Sequence, residues 1–306
     1  MKEETFKVEM VTPFMVGNAT SAPDSAPELR VPALRGSLRY WFRATAGAVI
    51  GDRNIPNIWG LESQVFGNTK GGSPLSIQMP SKKFDSYSEK ILPHKDKKQG
   101  EKPGYRNAFR AGSSFEIILG SRSASDEVWN TATTMLKLAL TFGGLGLRAR
   151  RGYGTLKIQG VTPETLENWK SYIPDLVGEA VKAVTSLAKG AGIPVLPSPP
   201  LDPCQFPCAN RTGIIRIGNT TYSTAMESVK GFMGNVPKVQ FLGFVGGHNR
   251  QASPLWVRPI QIKENKFCLL FVTLPSNFTG SDYPKLKSFL DNEHSGSDIS
   301  VKGWNL

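Results

Sequence analysis

Apolar and polar residues alternate over residues 5–12, with Phe6, Val8 and Met10 on one side and Lys7 and Glu9 on the other. That period of two marks a half-buried strand. A segment rich in Gly, Ala, Ser and Pro runs from Gly17 to Pro32, and residues 33–49 then predict a helix. Leu34, Leu38, Trp41 and Ala48 form its apolar stripe, and Gly51 stands just past its end. Leu75, Ile77 and Met79 alternate in a second strand, and Phe115, Ile117 and Leu119 in a third. A second helix is expected after Ser125, an N-cap residue with Asp126 and Glu127 in the following turn. It turns Val128, Ala132, Met135, Ala139 and Phe142 inward and stops at Gly143. Leu156 and Ile158 mark a fourth strand. Strand, helix, strand, strand, helix, strand is the order of a ferredoxin-like (βαββαβ, RRM-like) α+β fold, with two helices on one face of a four-stranded sheet.

The rest of the chain is read the same way. Thr162-Pro163 has the form of an N-cap followed by proline at the first helical position, opening a helical region to about Lys189 that is interrupted at Pro174. Six prolines between Pro194 and Pro207 predict an extended connection. Beyond it the pattern gives a strand over 213–217, a short helix over 223–233 and a hairpin of 255–262 with 266–274, turning near Glu264-Asn265. A last helix is expected from Pro284 to about Asp291. The second half thus repeats the element types of the first. Two ferredoxin-like domains are expected, residues 1–160 and a degenerate 209–306, joined by a helical and proline-rich connection over 161–208. Residues 80–112 carry nine Lys/Arg against four Asp/Glu with little apolar periodicity, and read as a mobile basic insertion.

Charge narrows the choice of partner. The 306 residues include 37 basic and 25 acidic side chains, for a net charge of +12, and the pI is about 9.6. That balance points to nucleic acid or another polyanionic surface. Met1-Lys-Glu-Glu-Thr-Phe lacks the apolar core of a signal peptide. No stretch approaches the ~20 apolar residues of a membrane span, so no membrane partner and a cytoplasmic location are expected. Three cysteines are too few for a disulfide framework, and an odd number fits a reducing compartment. Cys204-x-x-x-Cys208 has no second pair at metal-binding spacing, and His248 and His294 are isolated, so neither a metal nor another cofactor is expected.

The candidate chemistry centres on residues 144–154. Gly144-Leu145-Gly146 and Gly152-Tyr153-Gly154 flank Arg148, Arg150 and Arg151. Glycines permit sharp turns and close backbone approach, exposed N–H groups can cradle a phosphate, and arginine supplies planar charged forks. Such a loop is suited to holding a polyanionic strand. Arg35, Arg39 and Arg43 recur every four residues and share one face of the first helix. No acidic residue lies between Arg35 and Arg43, and like charges at this spacing repel by a few tenths of a kcal/mol per pair, a cost that a bound phosphate would relieve.

Two of these segments carry a family resemblance. The entry Pro32-Ala33-Leu34-Arg35-Gly36-Ser37-Leu38-Arg39 and the Gly-x-Gly-x5-Gly-x-Gly loop stand in the order and separation found in the RAMP superfamily of CRISPR proteins. Within it, Leu34-Arg-Gly-Ser-Leu-Arg-Tyr-Trp-Phe-Arg-Ala44 and Gly246-Gly247-His248-Asn249-Arg250-Gln251-Ala252-Ser253-Pro254-Leu255 resemble the first subunit of the Cmr-type (type III-B) effector. The resemblance implies two ferredoxin-like domains and a place at the end of a multi-subunit ribonucleoprotein. There the family helps hold the 3′ region of CRISPR RNA (crRNA) and its paired target RNA beside the other Cmr-type subunits, for antiviral defence.

The residues agree with RNA contact, since single strands are held by basic grooves and stacking rings. Tyr153 either stacks on a base or packs on its own sheet. Arg250, in a second glycine-containing turn, reads as an RNA contact, and His248 beside it is left open between donor, acid/base and bystander. Two enzymatic alternatives are weaker. In the superfamily's slicing subunits an acidic residue between first strand and first helix cuts target RNA, and Asp24 lies in that loop. Its surroundings, Ala22-Pro23-Asp24-Ser25-Ala26-Pro27, match the slicing motif poorly, and one carboxylate is thin for a metal site. A metal-independent crRNA-processing endonuclease would need a His/Tyr/Lys set, and none of His94, His248 and His294 lies in the first helix or its preceding loop. The expectation is an RNA-binding subunit that is not itself an enzyme.

Overall fold

The alternation of residues 2–10 becomes a strand whose Phe6, Val8 and Met10 are buried against helices. The computed structural model describes residues 1–17, 26–80, 84–91, 104–201, 204–236, 242–246, 249–276, 283–301 and 304. In chain order its elements are β1 (Lys2–Met10), α1 (Val31–Ala46), α2 (Ile55–Phe66), β2 (Leu75–Gln78), β3 (Ser86–Lys90), β4 (Tyr105–Phe109), β5 (Ser114–Ser121), α3 (Asp126–Phe142), β6 (Leu156–Ile158) and α4 (Leu166–Gly190). They continue with β7 (Ile215–Gly218), α5 (Ala225–Asn235), β8 (Phe244–Gly246), β9 (Asn249–Gln251), β10 (Leu255–Lys263), β11 (Lys266–Thr273), α6 (Tyr283–Glu293) and β12 (Gly296–Asp298).

Two antiparallel four-stranded sheets result, ordered β2-β5-β1-β6 and β10-β11-β7-β12. Numbered within its own half, each sheet reads second, third, first, fourth, so the two halves repeat one strand order. The hairpin of β10 and β11 turns at Asn265, one of two non-glycine residues with positive φ among the described residues. Alternate residues of β10 and β11 face opposite sides, as a pleated strand requires. Leu255, Val257, Leu269 and Phe271 pack with Val229 and Phe232 of α5 and Leu286 and Leu290 of α6. Trp256, Ile260, Leu270 and Val272 face the other way, into a core shared with α1, α3, α4 and the inner face of the first sheet. Helices α1, α3 and α4 thus lie between the two sheets. An aromatic group marks the junction: Trp41 of α1 lies 5.4 Å from Trp256 and 6.4 Å from Trp304 between ring centroids.

Several expectations are corrected. Helix α1 starts at Val31, with Pro32 in its first turn, and ends at Ala46, after which residues 47–51 form a π-helical turn. Helix α2 was not anticipated; Ile58, Leu61 and Val65 are its buried stripe, although Gly60 interrupts the pattern. The basic insertion holds a hairpin, β3 with β4, whose Phe109 packs on Phe84 and Phe14. Helix α4 is capped by Thr165, whose hydroxyl accepts from the Asn168 N–H, while the Thr162 hydroxyl accepts from the Ile158 N–H. Pro174 does not interrupt α4: the proline gives up one intrahelical bond, and the burial of Ile173, Leu176 and Val177 around it holds the helix together. Cys204 and Cys208 are not free thiols. A bend at residues 205–207 brings their Cα atoms to 6.2 Å, within disulfide range, and the two are joined. Cys268 stays free, and burial pushes its thiol up to about 12. Among the described residues no helix is long and apolar enough to cross a membrane.

One titratable group sits against the second core. The His294 ring contacts Phe232, Phe271 and Phe289, and its Nε2 has no partner. Burial, above all, holds its imidazole below the usual histidine range. The folded state therefore binds this proton less readily than the unfolded chain, whose histidine titrates near ~6.5. Stability from this group is complete above that value and is lost as pH falls through it. In urea unfolding between pH 7 and 5, His294→Phe is expected to lose less stability than the wild type.

Candidate nucleic-acid interface

Residues 143–155 close the gap between α3 and β6 by folding back on the segment after β1. The Leu147 N–H donates to Met15 O, the Gly154 N–H to Pro13 O and the Leu145 N–H to Gly154 O. Residues 149–151 make a 3-10 turn, in which the Arg151 and Gly152 N–H groups donate to Arg148 O and Ala149 O. These N–H groups are spent inside the protein, so the loop is not the open row of amides expected for a phosphate cradle. Its glycines serve close packing. Gly152, at φ +90, leaves no room for a Cβ beside Val229 and Pro259 of the second half, and a Cβ at Gly154 would collide with Leu145 O.

The three loop arginines divide. Arg150 donates through Nη1 to Ser253 O and lies 4.7 Å from the Trp256 ring and 5.2 Å from the Tyr40 ring. Arg151 donates to Ser253 Oγ at 3.2 Å and Leu242 O at 2.7 Å, over the Phe232 ring. Burial, and then repulsion from Arg148 and Arg150, lowers its guanidinium to about 10. Both therefore tie the loop to the second half, a role the expected phosphate contacts did not include: the half-buried forks find fixed acceptors in the oxygens of Ser253 and Leu242. Tyr153 is fully buried and donates to Lys90 O at 2.9 Å, anchoring the β3–β4 hairpin. It packs internally and is not available to stack on a base. Arg148 alone of the three has no hydrogen-bond partner among the described residues. It is held at φ 60, in the left-handed region, which costs a non-glycine residue roughly 1–2 kcal/mol.

The arginine face of α1 is also corrected. Glu62 of α2, only 4% exposed, accepts from Arg39 at 2.6 Å and lies 3.5 Å from Arg43 Nε. Arg39 further donates to Phe66 O at 2.9 Å and Gly67 O at 2.6 Å, the carbonyls at the C-terminus of α2, which has no basic residue in its own last turn. The repulsion along the face is thus relieved within the protein. Arg43 keeps half its side chain exposed, and Arg35 is partly exposed with no carboxylate partner among the described residues. At 100° per residue, Arg35, Arg39 and Arg43 do not point at the glycine loop. The face of α1 that meets the loop is Ala33, Ser37 and Tyr40, which border a cleft of about 410 Å³ shared with Gly144, Gly146 and Arg148.

Nor does the open side of the first sheet offer the aromatic platform of an RRM-like domain. Its outward residues are Glu3, Thr5, Lys7 and Glu9 of β1, Glu116 and Ile118 of β5, and Ser76 and Gln78 of β2. Arg250 belongs to β9, and its side chain lies outside the described residues, as do Asp24, His94 and His248.

One residue of the site was missed. Arg258 of β10 is 1% exposed, donates through Nη2 to Leu140 O at 2.9 Å and Leu156 O at 3.2 Å, and is lowered to about 9 by burial. Its Nη1 lies where a Cβ on Gly144 would be, 2.5 Å away. A lone charge in the otherwise apolar run Leu255-Trp256-Val257-Arg258-Pro259-Ile260 was the available signal.

If the loop is an internal clamp, Arg151→Ala should cost about 2 kcal/mol by urea unfolding. Gly154→Ala should cost about 2–3 kcal/mol. Arg148→Ala should stay within about 0.5 kcal/mol of wild type.

Residues 7–157 match the RAMP superfamily. Two curated proteins of Pyrococcus furiosus are similar to the chain. The CRISPR system Cmr subunit Cmr1-1 is 30% identical over 174 residues, 54% of this chain and 50% of that protein. The subunit Cmr1-2 is 27% identical over 186 residues, 52% of this chain and 96% of that protein. The match thus spans half the length of the first relative and nearly all of the second. Among solved structures, apo Cmr1 from Pyrococcus furiosus superposes with a TM-score of 0.64 at 20% identity, covering 99% of this chain and all of that one. A chain of a type III-B Cmr-beta complex bound to cognate target RNA superposes with a TM-score of 0.55 at 12% identity, covering 88% of this chain and 94% of that one. At these identities the structural likeness is one of fold.

Proposed function

The chain belongs to the RAMP superfamily, and from that premise we propose that it is an RNA-binding subunit of a type III-B CRISPR effector. It helps hold the 3′ region of crRNA and its paired target RNA beside other Cmr-type subunits. The likeness to Cmr1 subunits over about half the chain supports this reading, as does the fold shared with a chain of an RNA-bound Cmr complex. So does the repeated strand order of the two sheets, which we read as two ferredoxin-like domains, residues 1–160 and 209–306, joined through 161–208.

The single observation that carries the assignment to a site is Arg148. It is the one loop arginine whose guanidinium has no hydrogen-bond partner among the described residues, it lines the cleft beside α1, and its backbone is held in a conformation that glycine would adopt without strain. Arg35 and the exposed part of Arg43 extend the basic surface on the neighbouring face of α1. The binding is electrostatic and largely independent of sequence, so each lost phosphate contact should shallow the salt dependence by about one unit. In a salt series with single-stranded RNA, Arg148→Ala is expected to reduce the slope by about one and Arg35→Ala by a comparable amount. An unchanged slope in both, or no salt-dependent retention of RNA by the wild type, contradicts the assignment.

On this reading the subunit binds RNA without cutting it. Replacing Asp24 by Asn in the assembled complex is expected to leave every cleavage product in place; loss of one product would show that this chain cuts.

A further inference from the structure

The cleft between α1 and the glycine loop is open to solvent and lined by one cation beside a cation-covered pair of rings. Its two walls are made of small groups: Ala33 and Ser37, one helical turn apart, on one side, and Gly144 and Gly146 on the other. A larger side chain at Ala33 or Ser37 would narrow it, whereas a Cβ at Gly144 or Gly146 would run into Arg258 Nη1 or Met15 O inside the protein. At its base the Arg150 guanidinium lies against the Tyr40 and Trp256 rings, and the Trp256 Nε1–H donates to the Tyr40 hydroxyl at 3.2 Å. The two rings are tilted by 54° to each other, and the guanidinium lies against both. Among the described residues no acidic side chain lines the cleft. With a volume of about 410 Å³ it is roomy enough for one nucleoside.

Arg148 gives the cleft its direction. The other positive-φ positions of the loop, residues 146, 152 and 154, are all glycine. At 148 the chain keeps an arginine in the same strained region, and none of its guanidinium donors is used by the described residues. Burial there lowers the Arg148 guanidinium from its ordinary value, a cost that a bound phosphate would offset.

We propose that the cleft receives one unpaired nucleotide of the bound RNA, base first, against the Arg150 guanidinium that covers the Tyr40 and Trp256 rings, while Arg148 takes the adjoining phosphate. This rests on the RNA-binding function proposed above and adds the place where a base leaves the strand. Because every base has a flat face, the subsite accepts any of the four.

Full-length protein, titrated with short single-stranded RNA and with an abasic strand of equal length at one salt concentration, tests it. The wild type should bind the base-bearing strand about tenfold more tightly. Ser37→Trp, which fills the cleft, should bind both strands alike, with the affinity the wild type shows for the abasic one; Ala33→Leu provides a milder filling if the tryptophan perturbs folding. Arg148→Gly should weaken both strands while keeping or raising the unfolding midpoint, a pairing that a merely structural arginine would not give. Equal binding of both strands by the wild type, or undiminished binding by both filled variants, overturns the subsite and leaves salt-dependent RNA binding standing. Absence of binding to either strand overturns the RNA-binding function as well.

Discussion

A guanidinium taken out of water is held by whatever acceptors it can reach, and in this protein one such group sets how the halves meet. Arg258 leaves the second sheet and ends beneath the glycine loop, donating to the last turn of α3 and the first residue of β6. Helix α3 has no basic residue in its own last turn. The negative end of the helix and Nη2 of the arginine therefore meet across the junction, while Nε and Nη1 stay buried without a partner among the described residues. Gly144 has no side chain where Nη1 sits. Replacing that glycine would push the loop off the second sheet, and removing the arginine would leave the helix end without its donor.

The division of labour within the loop follows from that seating. Once Gly144 rests on Arg258 and Gly152 on Val229 and Pro259, the 3-10 turn between them carries Arg150 and Arg151 toward Ser253. Arg148, before the turn, lines the cleft beside α1, half-buried, and burial lowers its guanidinium. A loop that would otherwise be a mobile strip of charge becomes a rigid part of both halves with one cation left over. The same logic governs α1 and α2, where Glu62 and the C-terminal carbonyls of α2 absorb Arg39 and part of Arg43. Most of the arginines that mark this family resemblance thus hold the protein together, and only a minority is free for a ligand.

What was legible in the sequence was local. The alternation of β1, the Ser125 cap of α3 and the β10–β11 hairpin depend on neighbours within a few residues and appeared where expected. Helix α2 was hidden by Gly60 in its middle, and β3 and β4 by polar strands held mainly through Phe84, Phe109 and the Tyr153 hydroxyl. The fate of the loop arginines was not legible, because Arg148, Arg150 and Arg151 are chemically alike and the carbonyl that separates them lies 103 residues beyond Arg150. Glu62 is 23 residues from Arg39, beyond the reach of any helical pattern. The cleft was invisible for a related reason: small residues in two distant segments make it only when they face each other.

Arginine-selective chemical footprinting, read by mass on the free chain and on the chain with RNA, tests this division most directly. The account predicts that Arg148 reacts in the free protein and is protected by RNA, while Arg151 and Arg258 stay unreactive in both. An Arg148 whose reactivity RNA leaves unchanged, or an Arg151 that reacts freely and is then protected by RNA, would contradict it.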